Sequence, residues 1–291
     1  METANLQAFI KVAETGSFSL AAQQLFLTQP AISKRIKLLE EQFGSRLIDR
    51  NGKYIHLTQT GIALLPKARQ ILQEIHTTQQ LIADMEGSPM GSLSMATSHH
   101  IGLHRLPPVL RAYTAQYPDV DLDLSFMDSE QACQQIERNE LEMAVVTLPF
   151  EQSERLEFTT IWLDQLKISC ATDHPLSQLP APTLEDLIRY PAVLPSVGTF
   201  TREAIEKALE TVLDELKVSL ETNYLETIKM MVSVGLGWSI LPQSMIDSGL
   251  RVIEIPGFQS SRRLGIVLHK NRSHSKAVYA MLDLLNAIKQ P

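Results

Sequence analysis

The sequence predicts an α/β protein in three parts: a small helical head, a long helical rod and a larger two-lobed body. Three observations carry that reading. Residues 1–58 hold short apolar stripes at helical spacing, followed by two strand-like runs about a glycine. Residues 59–86 keep an unbroken 4-3 apolar rhythm, and from residue 93 onward strand-like and helix-like runs alternate. At 291 residues and 44% apolar content, the chain has material for about two domains with real cores.

In the head, Leu6, Phe9, Ile10 and Ala13 fall at i, i+3, i+4 and i+7, so they share one face of a first helix that must be buried. Gly16 ends that helix. Ser19 is placed to cap a second one, whose Ala21, Ala22 and Leu25 offer the small surface that a tight helix crossing requires. Leu27 falls in the turn. Thr28 is placed to accept from the first unpaired amides of a third helix, and Pro30 in its first turn loses no intrahelical hydrogen bond. Ile32, Ile36, Leu39 and Phe43 lie within a narrow arc, which turns Pro30, Ser33, Lys34 and Lys37 outward, and Gly44 stops the helix.

A helix whose leading end shows Gln29, Pro30 and Ser33, flanked by Lys34, Arg35 and Lys37, suits the major groove of B-DNA. Glutamine bonds adenine bidentately, serine bonds several bases, and Lys or Arg neutralises phosphate. A surface helix with solvated lysines has the same look. The next segment favours nucleic acid. Residues 47–50 and 54–57 read as strands joined by Asn51-Gly52-Lys53, and Asn-Gly is a strong hairpin signal. The tip sets Arg50 and Lys53 beside a duplex as a wing for phosphate or minor-groove contact.

Residues 6–61 resemble the winged helix-turn-helix of LysR-type transcriptional regulators. The resemblance rests on Phe9, Ser17-Phe18, Ala21-Ala22, Leu25, Thr28-Gln29-Pro30-Ala31, Ser33, Ile36, Leu39-Glu40, Gly44, Leu47, Arg50 and Leu57-Thr58, with Gly61 closing the run. It implies that Gln29, Pro30 and Ser33 meet bases, while Lys34, Arg35, Arg50 and Lys53 meet backbone. Thr28 and Lys37 complete the expected DNA-facing set. Asp49 and Asn51 stand where more basic wing residues would be expected.

Residues 1–58 carry seven basic and five acidic side chains, a net of +2, whereas the whole chain is −7 and the remainder therefore −9. A mildly basic head on an acidic body confines nucleic-acid contact to the head. No apolar run follows a basic start and nowhere do 18 apolar residues occur together, so neither export nor membrane spanning is expected and the protein reads as cytoplasmic. Two cysteines, Cys133 in a helical stretch and Cys170 in an apolar strand, exclude a disulfide framework and read as buried structural thiols.

From Thr58 or Thr60 to Glu86 runs one helical pattern. Leu64, Ala68, Ile71, Ile75, Thr78, Ile82 and Met85 form a coiled-coil seam on a rod of about 28 residues and roughly 42 Å. The alternative is a helix packed on its own domain. Pro66 should bend the rod near its start. In the resembled family this segment is the linker helix through which two heads pair. Paired heads imply self-association as a dimer or tetramer and an operator that is an interrupted inverted repeat. Gly87-Ser88-Pro89-Met90-Gly91-Ser92 reads as a hinge.

In the body, strand-like and helix-like runs alternate over residues 93–97, 106–117, 120–126, 132–138 and 143–147. A second series covers residues 166–171, 184–188, 192–194, 202–213, 218–220, 225–234 and 238–241, and residues 264–269 and 277–288 close the chain. Such alternation predicts βαβ units, a parallel sheet and two similar lobes. The body resembles the same family's effector-binding domain, built like a periplasmic binding protein. The words that carry this are Leu106-Pro107, Tyr117-Pro118-Asp119-Val120, Asp173-His174-Pro175-Leu176, Gly235-Leu236-Gly237 and Leu241-Pro242, in that order. The expected parts are a DNA-binding head (1–58), a linker helix (59–86), a hinge (87–92) and an effector-binding domain (93–291). Lobe I of that domain takes 93–161 and 266–291, and lobe II takes 162–265.

Ligands of open α/β lobes sit beyond the carboxyl ends of strands, where helix N-termini point inward. Unpaired amides and the helix dipole favour negative charge there. The expected ligand is a small anionic effector held by Ser98, His99, His100, Thr147, Thr199, Thr201 and Arg202, between apolar walls Phe150 and Phe200. Ser and Thr at such positions also cap helices with no ligand present.

No metal or other cofactor is expected. His99 and His100, as neighbours on a strand, would point to opposite faces and could not share an ion. The sequence shows no nucleophile elbow, no phosphate-cradling glycine loop and no two-histidine helix for zinc. The resemblance implies a sequence-specific regulator that changes operator bending and polymerase access when effector closes the lobes, with RNA polymerase as a further partner. A solute-binding transport protein would share the body but would need an export signal and would not need residues 1–86. An enzyme would need an orienting carboxylate beside its hydroxyls and imidazoles.

Overall fold

The computed structural model describes residues 2–49, 55–84, 87–151 and 153–289. Contacts divide the chain into two units, one dominated by residues 1–88 and the other by residues 89–291.

The first unit begins with α1 (Thr3–Thr15), α2 (Phe18–Gln24) and α3 (Gln29–Phe43). Gly16 and Gly44 end α1 and α3 in the left-handed region, at φ 60° and 61°, where a side chain would strain the backbone. Leu6, Phe9 and Ile10 are buried as the spacing requires, against Ala21, Ala22, Ile32, Ile36 and Leu39. Val12 joins them, whereas Ala13 is only half-buried. Phe43 also departs from the expected arc and is 43% exposed, because the last turn of α3 runs past the edge of the core.

Two expected caps shift. Ser17, not Ser19, caps α2, its hydroxyl accepting from the Leu20 amide at 3.3 Å. Thr28 stands at the N-cap of α3 but makes no side-chain capping bond. After α3, β1 (Ile48–Asp49) pairs antiparallel with β2 (His56–Leu57) in the register Ile48↔Leu57. The Glu40 carboxylate fastens this ribbon to α3 by accepting from the Leu47 and Ile48 amides at 2.9 and 3.3 Å. The expected hairpin tip, with Arg50, Asn51, Gly52 and Lys53, lies outside the described residues.

Helix α4 (Gln59–Asp84) continues through Pro66, and Thr58 accepts from the Gly61 amide at its start. Its first half corrects the coiled-coil reading. Ala68 is fully buried in the head's own core, and Leu64, Leu65, Ile71 and Leu72 pack against that core. The 4-3 spacing there records intradomain packing, since one apolar stripe can face only one neighbour. Ile75 and Thr78 are exposed; the side chain of Ile82 and all of Met85 lie outside the described residues.

The second unit starts with β3 (Gly91–Thr97), so Gly91 and Ser92 of the expected hinge are strand. There follow α5 (His99–His104), α6 (Pro107–Gln116), β4 (Val120–Phe126), α7 (Ser129–Glu137) and β5 (Met143–Thr147). A 16-residue strand, β6 (Leu156–Ala171), leads to α8 (Leu184–Leu187), β7 (Ala192–Leu194), α9 (Phe200–Ala208), β8 (Val218–Glu221) and α10 (Leu225–Ser233). The chain closes through β9 (Trp238–Pro242), β10 (Leu250–Val252), β11 (Ser260–His269) and α11 (Lys276–Ala287).

The strand order is β4-β3-β5-β11-β6-β9-β7-β8, with β10 beside β6. This is a mixed sheet, where the sequence suggested a parallel one. Strands pair in parallel in β3–β4, β3–β5, β7–β8 and β7–β9, while β6 and β11 run antiparallel to each other and to their outer neighbours β9 and β5. These two strands carry the chain out of one lobe and back, which forces opposite directions. Their pairing shifts register between Leu264 and Gly265, opposite Trp162 and Thr160. One core gathers Leu93, Met95, Tyr113, Val145, Ile266 and Met281; a second gathers Ile168, Leu194, Ile205, Trp238 and Ile240. Both cysteines are buried, and burial pushes the Cys170 thiol up to about 11.

Candidate functional site

Two features of the sequence reading acquire geometry. On α3, Thr28, Gln29 and Pro30 are exposed at the leading end, together with Lys34 and Lys37, while Ser33 and Arg35 are half-buried. The proline removes one donor from a turn whose donors have no intrahelical partner. Lys37 stands 3.5 Å from Glu41, an exposed pair too solvated to immobilise either side chain.

In the second unit, a cavity of about 40 Å³ lies at the carboxyl ends of β3, β5 and β7. Seven elements or their flanks line it. Ser98, His99 and His100 come from the start of α5, Asp128, Ser129 and Glu130 from the start of α7, and Thr147 from the end of β5. Pro195 follows β7, Thr199 and Thr201 come from the start of α9, Asn223 and Leu225 from the start of α10, and Arg262 from β11.

Six of the nine expected effector residues therefore meet: Ser98, His99, His100, Thr147, Thr199 and Thr201. Ser98 caps α5 by position but makes no side-chain capping bond, so its hydroxyl is not spent on the helix. The Thr147 amide donates to Ser129 Oγ at 3.2 Å. Thr199 is committed to local structure, its hydroxyl donating to Ser196 O at 2.9 Å and accepting from the Arg202 amide at 3.2 Å. The His99 ring lies 5.3 Å from Phe126 and 4.7 Å from Tyr224.

Three expectations fail. Arg202 does not line the cavity. Its guanidinium is buried and turned onto Glu206, one turn on along α9, at 2.8 Å, Glu221 at the end of β8 at 3.2 Å and Pro195 O at 2.9 Å. Phe150 is 40% exposed, with the Lys207 ammonium 4.8 Å above its ring. Phe200 packs against the cluster around Ala132, Ile136 and Leu148 and contributes its backbone, not its ring, toward the site.

That backbone carries an unforeseen contact. The Phe200 amide, at the first position of α9, donates to the Glu130 carboxylate. An internal anion thus occupies the helix terminus where the sequence reading placed an effector anion. Burial pushes Glu130 above its ordinary range, more than the Phe200 amide draws it down. Beside it, Asn223 Nδ2 donates to Asp128 Oδ2 at 2.8 Å and Asn223 Oδ1 accepts from the Ser196 amide at 3.1 Å.

The cavity's cation is Arg262. Its Nε and Nη2 hold Asp164 Oδ2 at 3.0 and 2.9 Å, and its Nη1 donates to Thr201 Oγ1 at 2.8 Å. Arg105 stands 3.5 Å from the other Asp164 oxygen. The sequence reading began the strand at residue 264 and so passed over Arg262. The usable signal was an arginine in the inward register of Ser260, Arg262 and Leu264, all buried.

His99 and His100 begin a helix and do not end a strand, which removes the stated reason for rejecting an ion. The same helix sets His100 and His104 four residues apart on α5, where they meet Glu226 of α10, a two-histidine spacing that the sequence reading did not mark. Glu226 Oε1 lies 3.0 Å from His104 Nε2 and 3.5 Å from His100 Nδ1. Burial lowers the pKa of His100, while Glu226 is drawn down to about 2, first by the His100 imidazole.

A helix-turn-helix head joined to a two-lobed α/β body with a polar cleft defines a ligand-responsive DNA-binding regulator. Residues 86–289 match the LysR substrate binding domain, and residues 3–62 match the bacterial regulatory helix-turn-helix protein, lysR family. The chain belongs to the LysR family, whose members are transcriptional regulators and not enzymes. It is 29% identical over 286 residues to the HTH-type transcriptional activator CmpR of a Synechocystis strain, covering 97% of this chain and 93% of the relative. It is 56% identical over 108 residues to an Azotobacter vinelandii HTH-type regulator in the ibpB-leuC intergenic region, covering 37% and 75%. Among solved structures, a full-length OxyR variant from Pseudomonas aeruginosa is similar in fold, with TM-score 0.74, 21% identity and coverage of 98% and 94%. Full-length CbnR in complex with its target DNA gives TM-score 0.68 at 21% identity, with 99% and 100% covered. Among the described residues no helix is long and apolar enough to cross a membrane.

Proposed function

We propose that this regulator reads an interrupted inverted repeat in double-stranded DNA with the leading edge of α3. Gln29, Pro30 and Ser33 face bases, and Thr28, Lys34, Arg35 and Lys37 face phosphate, joined by Arg50 and Lys53 of the wing. The carrying observation is the uncapped, exposed start of α3 with Gln29 and Pro30 at its tip. The fold likeness to a protein solved on its target DNA supports this reading. The second half of α4 pairs two heads in a dimer, or two dimers in a tetramer, and operator bending governs access by RNA polymerase. A cytoplasmic location follows from that role.

Gel-shift titrations at several salt concentrations test the assignment. Gln29→Ala should lower discrimination between operator and random DNA about tenfold. Lys34→Ala should weaken both alike and reduce the salt slope by about 1. The reverse pattern overturns the roles.

The effector is a small molecule with an anionic group that displaces the Glu130 carboxylate from the Phe200 amide, beside Arg262. Support comes from Glu130 itself, a carboxylate already seated at that helix start. The effector's hydroxyl or amide groups meet Ser98, Ser129, Thr147 and Thr201. Calorimetry with a panel of carboxylates and phosphorylated metabolites should find Glu130→Ala binding more tightly than wild type. Equal affinity in both proteins refutes an anionic occupant of that position.

A further inference from the structure

We propose that His100, His104 and Glu226 form a binding site for one divalent transition-metal ion of zinc type, a site that shares His100 with the effector cavity but uses none of its hydroxyl groups. Histidines four residues apart on one helix present their rings on the same face, a spacing suited to a shared ion. Here α5 supplies both imidazoles and α10 supplies the carboxylate.

The separations fit. Four-coordinate zinc with bonds of about 2.0–2.1 Å sets its ligand atoms roughly 3.3 Å apart. Glu226 Oε1 lies 3.0 Å from His104 Nε2 and 3.5 Å from His100 Nδ1, and the three donor atoms all lie within 4.8 Å of one another. Rotating the two rings, whose centroids are 4.8 Å apart, closes the remaining gap.

Burial supplies an independent observation. His100 is 4% exposed; its Nδ1 has only the long 3.5 Å approach to Glu226 Oε1, and its Nε2 has no hydrogen-bond partner among the described residues. A buried imidazole in that state has lost its water for one long contact, and a metal ion between Nδ1 and the Glu226 carboxylate would satisfy the nitrogen fully. His104, by contrast, is 46% exposed at its side chain and opens a path by which an ion can enter. Arg262 is the nearby cation, and its charge is countered by Asp164 at 2.9 Å. Three protein donors leave a fourth position for water or a ligand atom. Because α5 follows β3 and α10 precedes β9, the ion would tie the two halves of the sheet together across the cleft.

The test uses tag-free, metal-stripped full chain titrated with zinc by calorimetry and with cobalt by visible absorption. The expected result is one tight ion per chain, with cobalt d–d bands of a four-coordinate site. His104→Ala and Glu226→Gln should each weaken zinc binding at least tenfold and abolish those bands, while His56→Ala, at an exposed histidine of β2, should leave both unchanged. His104 is half-exposed and Glu226→Gln keeps side-chain volume, so circular dichroism should find both variants folded. Absence of stoichiometric binding by the wild type, or binding that both variants retain, overturns the site.

Discussion

Arg262 on β11 grips Asp164 on β6 through two donors to one carboxylate oxygen, Nε at 3.0 Å and Nη2 at 2.9 Å, with both side chains under 5% exposed. The two strands that carry the chain between lobes are thus linked by a buried ion pair at the edge of the cavity, and the pair leaves one Arg262 nitrogen for Thr201.

Removing one partner of such a pair strands the other in a medium that cannot solvate it. Arg262→Met should destabilise the body by about 3–5 kcal/mol, and the double variant Arg262→Met with Asp164→Leu should recover most of the loss. Both tryptophans, Trp162 and Trp238, lie in the body, so urea unfolding followed by their fluorescence reports that unit. A single substitution costing under about 1 kcal/mol would show that Arg105 alone suffices for Asp164.

The head offers a choice between two serines two residues apart. Ser17 makes the capping bond to the Leu20 amide, whereas Ser19 is exposed within the first turn of α2. Ser17→Ala should therefore destabilise α2 by about 1 kcal/mol, and Ser19→Ala by no more than a few tenths. Hydrogen exchange of α2 amides measures both, and equal protection in the two variants would contradict the observed cap.

Glu130 makes stability depend on pH in a definite direction. Its folded-state pKa is raised above the ordinary 4.5, so the folded chain holds this proton more tightly than the unfolded chain does. Its contribution is fully present below the unfolded value and is lost as pH rises through the folded one. Glu130→Gln keeps an acceptor for the Phe200 amide but cannot ionise. Relative to wild type, it should gain stability as pH rises above the ordinary carboxylate range, read from tryptophan fluorescence in denaturant titrations. A difference that does not vary with pH would contradict the burial of this carboxyl.

Much of the fold was legible because local signals were strong where a single rule governs. Gly16 and Gly44 end helices because the left-handed turn disfavours other residues, and β4 and β5 run over the residues their apolar patterns marked. The cavity's location at strand ends followed from the alternation of elements, and Ser98, Thr147 and Thr201 were found by it. Local pattern misled where two causes give one pattern. The stripe on α4 is the same whether it faces a partner helix or its own domain, and only the placement of Ala68 within the head core separates them. Likewise Thr199 looks like a ligand group and a helix cap, and both sides of its hydroxyl are occupied as a cap.

Local sequence was enough to mark α1, α3, β4 and β5 and the exposed leading end of α3, since these depend on neighbours within a few residues. Tertiary structure decided which charges meet. Arg202 and Arg262 are equally plausible anion partners in one dimension, yet Glu206 and Glu221 turn the first inward while β11 brings the second to the cavity. His104 and Glu226 are 122 residues apart and lie 3.0 Å from each other only because two helices from opposite halves of one sheet converge. Electrostatic interaction depends on distance through space, and chain spacing does not encode that distance beyond a turn or two of helix.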